Sequence, residues 1–166
     1  EHLGELQRMS LIVQDMLFLS QADRGAKARR ETVQSLADVA GAVAELHEAH
    51  MEEAGLRWRV DGDAGGAVDA RLLQRALSNL IGNATRHAQR GSEVVVRIEG
   101  SRDETSLSVV NQGATIAPEH LPRLFDRFYR VDASRSGAAR NHGLGLAIVA
   151  AIARMHSGRV AATSSD

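Results

Sequence analysis

Apolar residues recur at helical spacing in some stretches of the chain and alternate in others, and this sets the elements. From residue 2 to about 23, Leu3, Leu6, Val13 and Leu17 follow a heptad-like seam interrupted by Ser10, and Met9, Ile12, Met16 and Leu19 form a second apolar row. A helix apolar on two sides suits a bundle; the competing reading is an amphipathic helix folded back on its own domain. Residues 22–30 are small, polar and basic, a linker, and Glu31–Ser35 is a short strand. Leu36–Ala54 has helical spacing through Val39, Val43, Leu46 and His50, and Gly55 ends it. Leu56–Val60 alternates as a strand and Asp61–Gly66 is a turn. Asp69 is placed to cap a helix running to His87. Glu93–Glu99 and Ser106–Val110 alternate as a hairpin across residues 100–105, and Gly158–Thr163 reads as a last strand fragment. This order predicts an α+β two-layer sandwich, a mixed sheet covered by helices on one face, preceded by a bundle-type helix.

Within the helix after Asp69, Asn79 and Asn83 are four residues apart and so share one face. Leu73, Ala76, Leu77, Leu80, Ile81 and Ala84 make the adjoining apolar stripe, which puts the amides at the edge of the buried side. A buried amide must be hydrogen-bonded or coordinate something. Two neutral carbonyl oxygens suit a Mg²⁺ that keeps several waters and is otherwise held by phosphates. Taken alone, the segment reads equally well as a surface helix with two scattered Asn. Arg86 and His87 follow one turn on. A glycine pair, Gly143 and Gly145, opens an apolar run through Val149. Helix-start N–H groups and the helix dipole favour phosphate, and glycines let the backbone approach it. Glycines are also ordinary turn residues, and the polar stretch before this pair is not the strand that a dinucleotide-binding fingerprint needs.

Four motifs follow one another in order. They are Leu77-Ser78-Asn79-Leu80-Ile81-Gly82-Asn83-Ala84, Asn111-Gln112-Gly113-Ala114-Thr115-Ile116, Leu124-Phe125-Asp126-Arg127-Phe128-Tyr129-Arg130 and Gly143-Leu144-Gly145-Leu146. With them the chain resembles the catalytic and ATP-binding domain of sensor histidine kinases, in the wider group that includes gyrase-type ATPases. The motifs look like the family's N box, first glycine box, F box and second glycine box. The run from Pro118 to Asp132 is most similar to kinases of the heavy-metal-responsive branch.

The resemblance implies a Bergerat-type ATP-binding fold with ATP and Mg²⁺ as cofactors. Asn79 and Asn83 would hold the Mg²⁺, and Asn111 with Gly113 would meet the adenine. Ile116 and Leu146 are candidates for apolar walls beside the base, although core packing explains both as well. Arg86, Arg130 and the Gly143-Leu144-Gly145 backbone would serve the phosphates, and His87 and His142 are further candidates for contact with the nucleotide. Phe125, Phe128 and Tyr129 read as packing anchors. Val131–His142, rich in small and basic residues, corresponds to the family's mobile lid, with Arg135 and Arg140 as either phosphate contacts or solvated charges. Three positions depart from the pattern. Asn111 replaces the usual Asp and would accept the adenine amino hydrogen without charge assistance. Thr115 replaces the second glycine of its box, and Asn141 a glycine of the other; Asn tolerates left-handed backbone better than most residues.

Phosphoryl transfer is largely positioning and charge neutralisation. In the related ATPases a water-activating glutamate occupies the position of Asn79, and an amide cannot take that proton. The expected activity is therefore transfer of the ATP γ-phosphate to a histidine of a phosphoacceptor domain. None of the seven histidines has the His-Glu-x-x-x-Pro context of that acceptor, so the chain holds no catalytic phosphoacceptor and is not expected to autophosphorylate alone. Alternatives are a catalytically weak nucleotide-binding module and a related anti-sigma serine kinase. Implied partners are the phosphoacceptor hairpin of the parent kinase and a downstream response regulator, with homodimerisation through the N-terminal helix.

The family divides the chain into residues 1–24, the second helix of the dimerising hairpin; 25–30, a linker; and 31–166, the catalytic domain. The opening Glu1-His2-Leu3 lacks an initiator Met, so the chain is expected to continue a longer bacterial parent anchored in the inner membrane, with this part cytoplasmic. It stops at Asp166, before a glycine-threonine strand the family usually carries, so the domain is expected to be incomplete at that end. No apolar run approaches a membrane span of about 18 residues. A net charge of −1 argues against nucleic-acid binding, and the absence of Cys removes disulfide and thiolate-zinc readings. His47 and His50 are three apart with no third ligand apparent, and read as a solvated face rather than a metal site.

Overall fold

The computed structural model describes residues 2–131 and 142–166. The expected lid, with Arg135, Arg140 and Asn141, thus lies outside the described residues apart from Val131 and His142. The elements are α1 (His2–Asp23), β1 (Glu31–Val33), α2 (Leu36–Leu46), α3 (Glu48–Glu53), β2 (Arg57–Asp61), β3 (Gly66–Val68), α4 (Ala70–His87), β4 (Glu93–Gly100), β5 (Thr105–Val110) and α5 (Gly145–Met155), with a 3-10 turn at Leu121–Arg123. They form two compact units: Ala28–Ala114, and Glu1–Lys27 with Thr115–Asp166.

In the unit Ala28–Ala114, β4 lies at the centre of a mixed sheet, parallel to β2 and antiparallel to β5. β1 and β3 make a separate antiparallel pair. Strand alternation sends Trp58, Val60, Val94, Val96, Ile98, Leu107 and Val109 into one core with Leu36, Ala40, Val43, Leu77 and Ile81 of the helices. Arg59, Asp61 and Arg97 take the opposite, exposed face, where Arg59 Nε lies 3.0 Å from Glu93. The mixed sheet with helices on one face is the architecture the pattern predicted.

Two boundaries differ from expectation for local reasons. Ser35 leaves the strand because its Oγ accepts the Asp38 N–H at 3.1 Å and caps α2. Asp63 reinforces that corner by accepting the Ala37 N–H at 2.9 Å and the Ser35 hydroxyl at 2.7 Å. These bonds, the Ala37 amide foremost, hold its carboxyl below the usual carboxylate pKa. The helix expected over Leu36–Ala54 breaks at His47, whose backbone (φ −97°, ψ −1°) ends α2 and starts α3. Leu46, assigned to the apolar stripe, is consequently 82 % exposed, and Met51 takes the buried place beyond the break.

In the other unit, α1 packs against α5. Leu19 is the buried residue of α1, while Leu3, Leu6, Met9, Val13, Met16 and Leu17 are exposed. α5 buries Ala147–Ile152. The last strand fragment expected over Gly158–Thr163 does not form: among the described residues this stretch carries no strand. An alternating run becomes a strand only when a neighbour supplies a ladder. Here the Gly158 N–H turns back to the Ala153 carbonyl at 2.7 Å.

Candidate functional site

α4 carries the candidate residues of the unit Ala28–Ala114. Asp69 caps it by accepting the Leu72 N–H at 3.2 Å, and holds the preceding linker through the Arg29 N–H at 2.9 Å. Ala76, Leu77, Ile81 and Ala84 are buried, which sets the face that the helix turns to the core. Asn79 and Asn83 then lie half-buried at the edge of that face, as their spacing required. Arg86 and His87 occupy the last turn, where cations suit the helix dipole.

The end of α4 is tied to the first glycine box. Ala88 bridges Gly113, and the Gln89 N–H donates to the Gln112 carbonyl at 2.6 Å. Gly113 is obligatory here, since a Cβ at this position would strike the His87 carbonyl oxygen. This bridge carries the half-buried Asn111 to the end of the amide-bearing helix. Within this unit, therefore, Asn79, Asn83, Arg86, His87, Asn111 and Gly113 are organised by one helix and one bridge.

His47 departs from the expected solvated face. It is half-buried, and its Nε2 lies 2.8 Å from Ser78 Oγ. Burial first, then His50 and Arg86, lower its pKa from the ordinary 6.5. Arg86 is exposed at its surface, and partial desolvation lowers its pKa from the ordinary value. The spacing of Asn79 and Asn83 gave no hint of this contact, because its partners are 31 residues apart.

A further group of candidate residues lies in the other unit. Gly143 has φ +81°, and a Cβ there would sit 2.8 Å from Phe128 Cα. The Phe128 N–H donates to the Gly143 carbonyl at 2.8 Å, with Phe128 itself at φ +63°. F box and second glycine box are thus clasped backbone to backbone. Phe128, expected as a packing anchor, is 55 % exposed, so its role in this clasp is carried by its main chain. Tyr129 is hydrogen-bonded to His120 and lies under the Arg123 guanidinium, 4.5 Å from the ring centre. Leu144 is fully buried and sets the start of α5 without a side-chain cap. Gly145, Leu146 and Arg130 are half-buried, as is Ile116, whose N–H donates to Ser164 Oγ at 2.9 Å. His142 is turned to α1: its Nε2 lies 3.1 Å from Asp15 Oδ2, and its Nδ1 is buried without a hydrogen-bond partner.

The donor chemistry fits a hydrated cation. Among the described residues no three His, Cys, Asp or Glu side chains converge on a metal site. A pair of amide oxygens matches Mg²⁺ shared with phosphates, rather than an all-protein cage.

One unit holds a sheet covered on one face by helices, with an amide pair on one of them, and the other holds a glycine-led helix. The family described as histidine kinase-, DNA gyrase B-, and HSP90-like ATPase matches residues 68–166, and the chain belongs to it. Sensor histidine kinase CusS of Escherichia coli K12 is 47% identical over 164 residues, covering 98% of this chain and 34% of that protein. The chain thus spans about a third of the length of the curated relatives it matches. Among solved structures, the Acinetobacter baumannii histidine kinase AdeS superposes with a TM-score of 0.75 at 25% identity, over 92% of this chain and 70% of that one. Full-length ShkA in complex with AMPPNP gives 0.76 at 25% identity, over 96% and 32%. Among the described residues no helix is long and apolar enough to cross a membrane.

Proposed function

We propose that the chain binds ATP with Mg²⁺ and transfers the γ-phosphate to a histidine on a phosphoacceptor hairpin, for relay to a response regulator. Asn83, with Asn79, would hold the cation, and Asn111 beside Gly113 would accept the adenine amino hydrogen. Ile116 and Leu146 would flank the base. Arg86, Arg130 and the Gly143–Gly145 backbone would offset phosphate charge, with His87 and His142 as further nucleotide-contact candidates. Bound Mg²⁺ supplies neutralisation of charge on the phosphates. The chain's own residues orient and bind, and Asn79 offers no proton acceptor for water, so ATP is kept for the histidine.

The observation that carries this reading is the half-buried amide pair on α4, joined through the Ala88–Gly113 bridge to Asn111. The exposed apolar rows of α1 support its assignment to the dimerising hairpin, residues 1–24, followed by a linker at 25–30 and the catalytic domain from 31. On this reading the parent is a membrane-anchored bacterial kinase that dimerises through α1, with this part on the cytoplasmic side.

Incubation with γ-labelled ATP tests the proposal. Label is expected on a hairpin histidine supplied in trans, and none on this chain alone. Bound nucleotide with an unlabelled hairpin would mark a catalytically weak module, the alternative that the departures at Asn111 and Thr115 raise.

A further inference from the structure

α3, β2, β3 and the first two turns of α4 separate His47 from the N box, yet its ring packs on α4. Ser78, Gly82 and Arg86 form a stripe at four-residue spacing, next to the stripe of Asn79, Asn83 and His87. His47 sits on the first of these. Its Nε2 lies 2.8 Å from Ser78 Oγ. A Cβ on Gly82 would come 3.6 Å from its Cε1 and 3.7 Å from Arg86 Nη1, so imidazole and guanidinium flank the bare helix surface there. A serine inside a helix otherwise bonds its own preceding turn, as Thr85 does to the Ile81 carbonyl at 2.7 Å. Ser78 instead has a partner on a different element, at the rigid break between α2 and α3.

A helix turns as one body, so whatever holds Ser78 also holds Asn79 and Asn83. The apolar stripe fixes the roll of α4 coarsely, because hydrophobic contact is not directional. A hydrogen bond to a neighbouring element fixes it more narrowly. We propose that His47 is a positioning residue for the cation site: by holding Ser78 it sets the roll of α4 and so aims the Asn79 and Asn83 amides. This rests on the Mg-ATP reading given above. Burial and the nearby His50 and Arg86 favour the neutral imidazole, so a neutral amide can replace it.

The test is titration of the whole chain with a non-hydrolysable ATP analogue, with Mg²⁺ and again in EDTA. His47→Phe fills the space without the bond, Ser78→Ala removes the bond from the other side, and His47→Gln restores a neutral hydrogen-bonding group. His50→Ala is the control. Both bond-breaking variants are expected to weaken Mg²⁺-dependent affinity about fivefold, the worth of one hydrogen bond, while leaving affinity in EDTA unchanged. The double variant should lose no more than either single one, and His47→Gln should recover most of the loss. Unchanged Mg²⁺-dependent affinity in folded Ser78→Ala overturns the proposal and leaves the Mg-ATP reading intact. Equal losses with and without Mg²⁺ also overturn it, by showing general disruption. Wild-type protein whose affinity ignores Mg²⁺ would remove the underlying reading and this inference with it.

Discussion

α4 and α5 present chemistry in opposite ways. α4 starts on a side-chain cap, buries one face and offers amides from the edge of that face. α5 starts without a side-chain cap, buries nearly its whole middle, and has glycines at its opening. On the proposed reading, one helix would act through what its side chains carry, the other through how closely its backbone can be approached. The first arrangement is set by periodicity and the second by sterics, so different substitutions break them.

The largest effect is expected at Gly143. Adding a Cβ at φ +81°, 2.8 Å from Phe128 Cα, combines left-handed strain with a backbone clash. Gly143→Ala should cost about 2–4 kcal/mol in urea unfolding, and should open the F-box clasp. Gly4, with nothing within 4 Å of its would-be Cβ, is the matched contrast. Gly4→Ala should be neutral or stabilise by up to about 1 kcal/mol, since it lies within a helix. Similar losses in both variants would mean that the clasp is not a special constraint.

Gly113→Ala sharpens the comparison on the α4 side, where the obstacle is the His87 carbonyl rather than an unusual φ. A loss of about 1–3 kcal/mol is expected, with weakened affinity for adenosine, which carries no phosphate. Retained adenosine affinity would break the link between the bridge and the base. Asp69→Ala, which removes the cap at the far end of α4, should cost about 1 kcal/mol in thermal unfolding and leave the second glycine box unaffected.

The smallest effect is a pH dependence. His47 is held below its ordinary pKa of 6.5, so the folded chain binds fewer protons at this site than the unfolded one. Its contribution is fully present above pH 6.5 and is lost as pH falls through the lower folded value. Burial foremost, then the proximity of His50 and Arg86, opposes its protonation. Unfolding midpoints at pH 7.5 and 5.5 should diverge less in His47→Gln than in the wild type. An identical divergence would assign the acid sensitivity elsewhere.

The asymmetry between the two helices also explains what was legible in the sequence. The face shared by Asn79 and Asn83, the Asp69 cap and the β4–β5 hairpin follow from local spacing, and all three form. The break at His47 was not legible, because no glycine or proline marks it and the apolar spacing runs through it. The contacts of His47 with Ser78, His142 with Asp15 and Gly143 with Phe128 join distant stretches, which no periodicity encodes. The C-terminal alternation shows the converse error. A pattern around Gly158–Thr163 suited to a strand stays irregular where no neighbouring ladder meets it.

The most direct measurement is calorimetric titration of a non-hydrolysable ATP analogue into wild-type chain and Asn83→Ala, each with Mg²⁺ and with EDTA. The account predicts that Mg²⁺ strengthens wild-type binding more than tenfold, the scale of a metal contact worth above about 1.4 kcal/mol. The Asn83→Ala chain, folded and with unchanged affinity in EDTA, should gain nothing from Mg²⁺. An undiminished Mg²⁺ gain in that variant would contradict the assignment of the cation to the α4 amides.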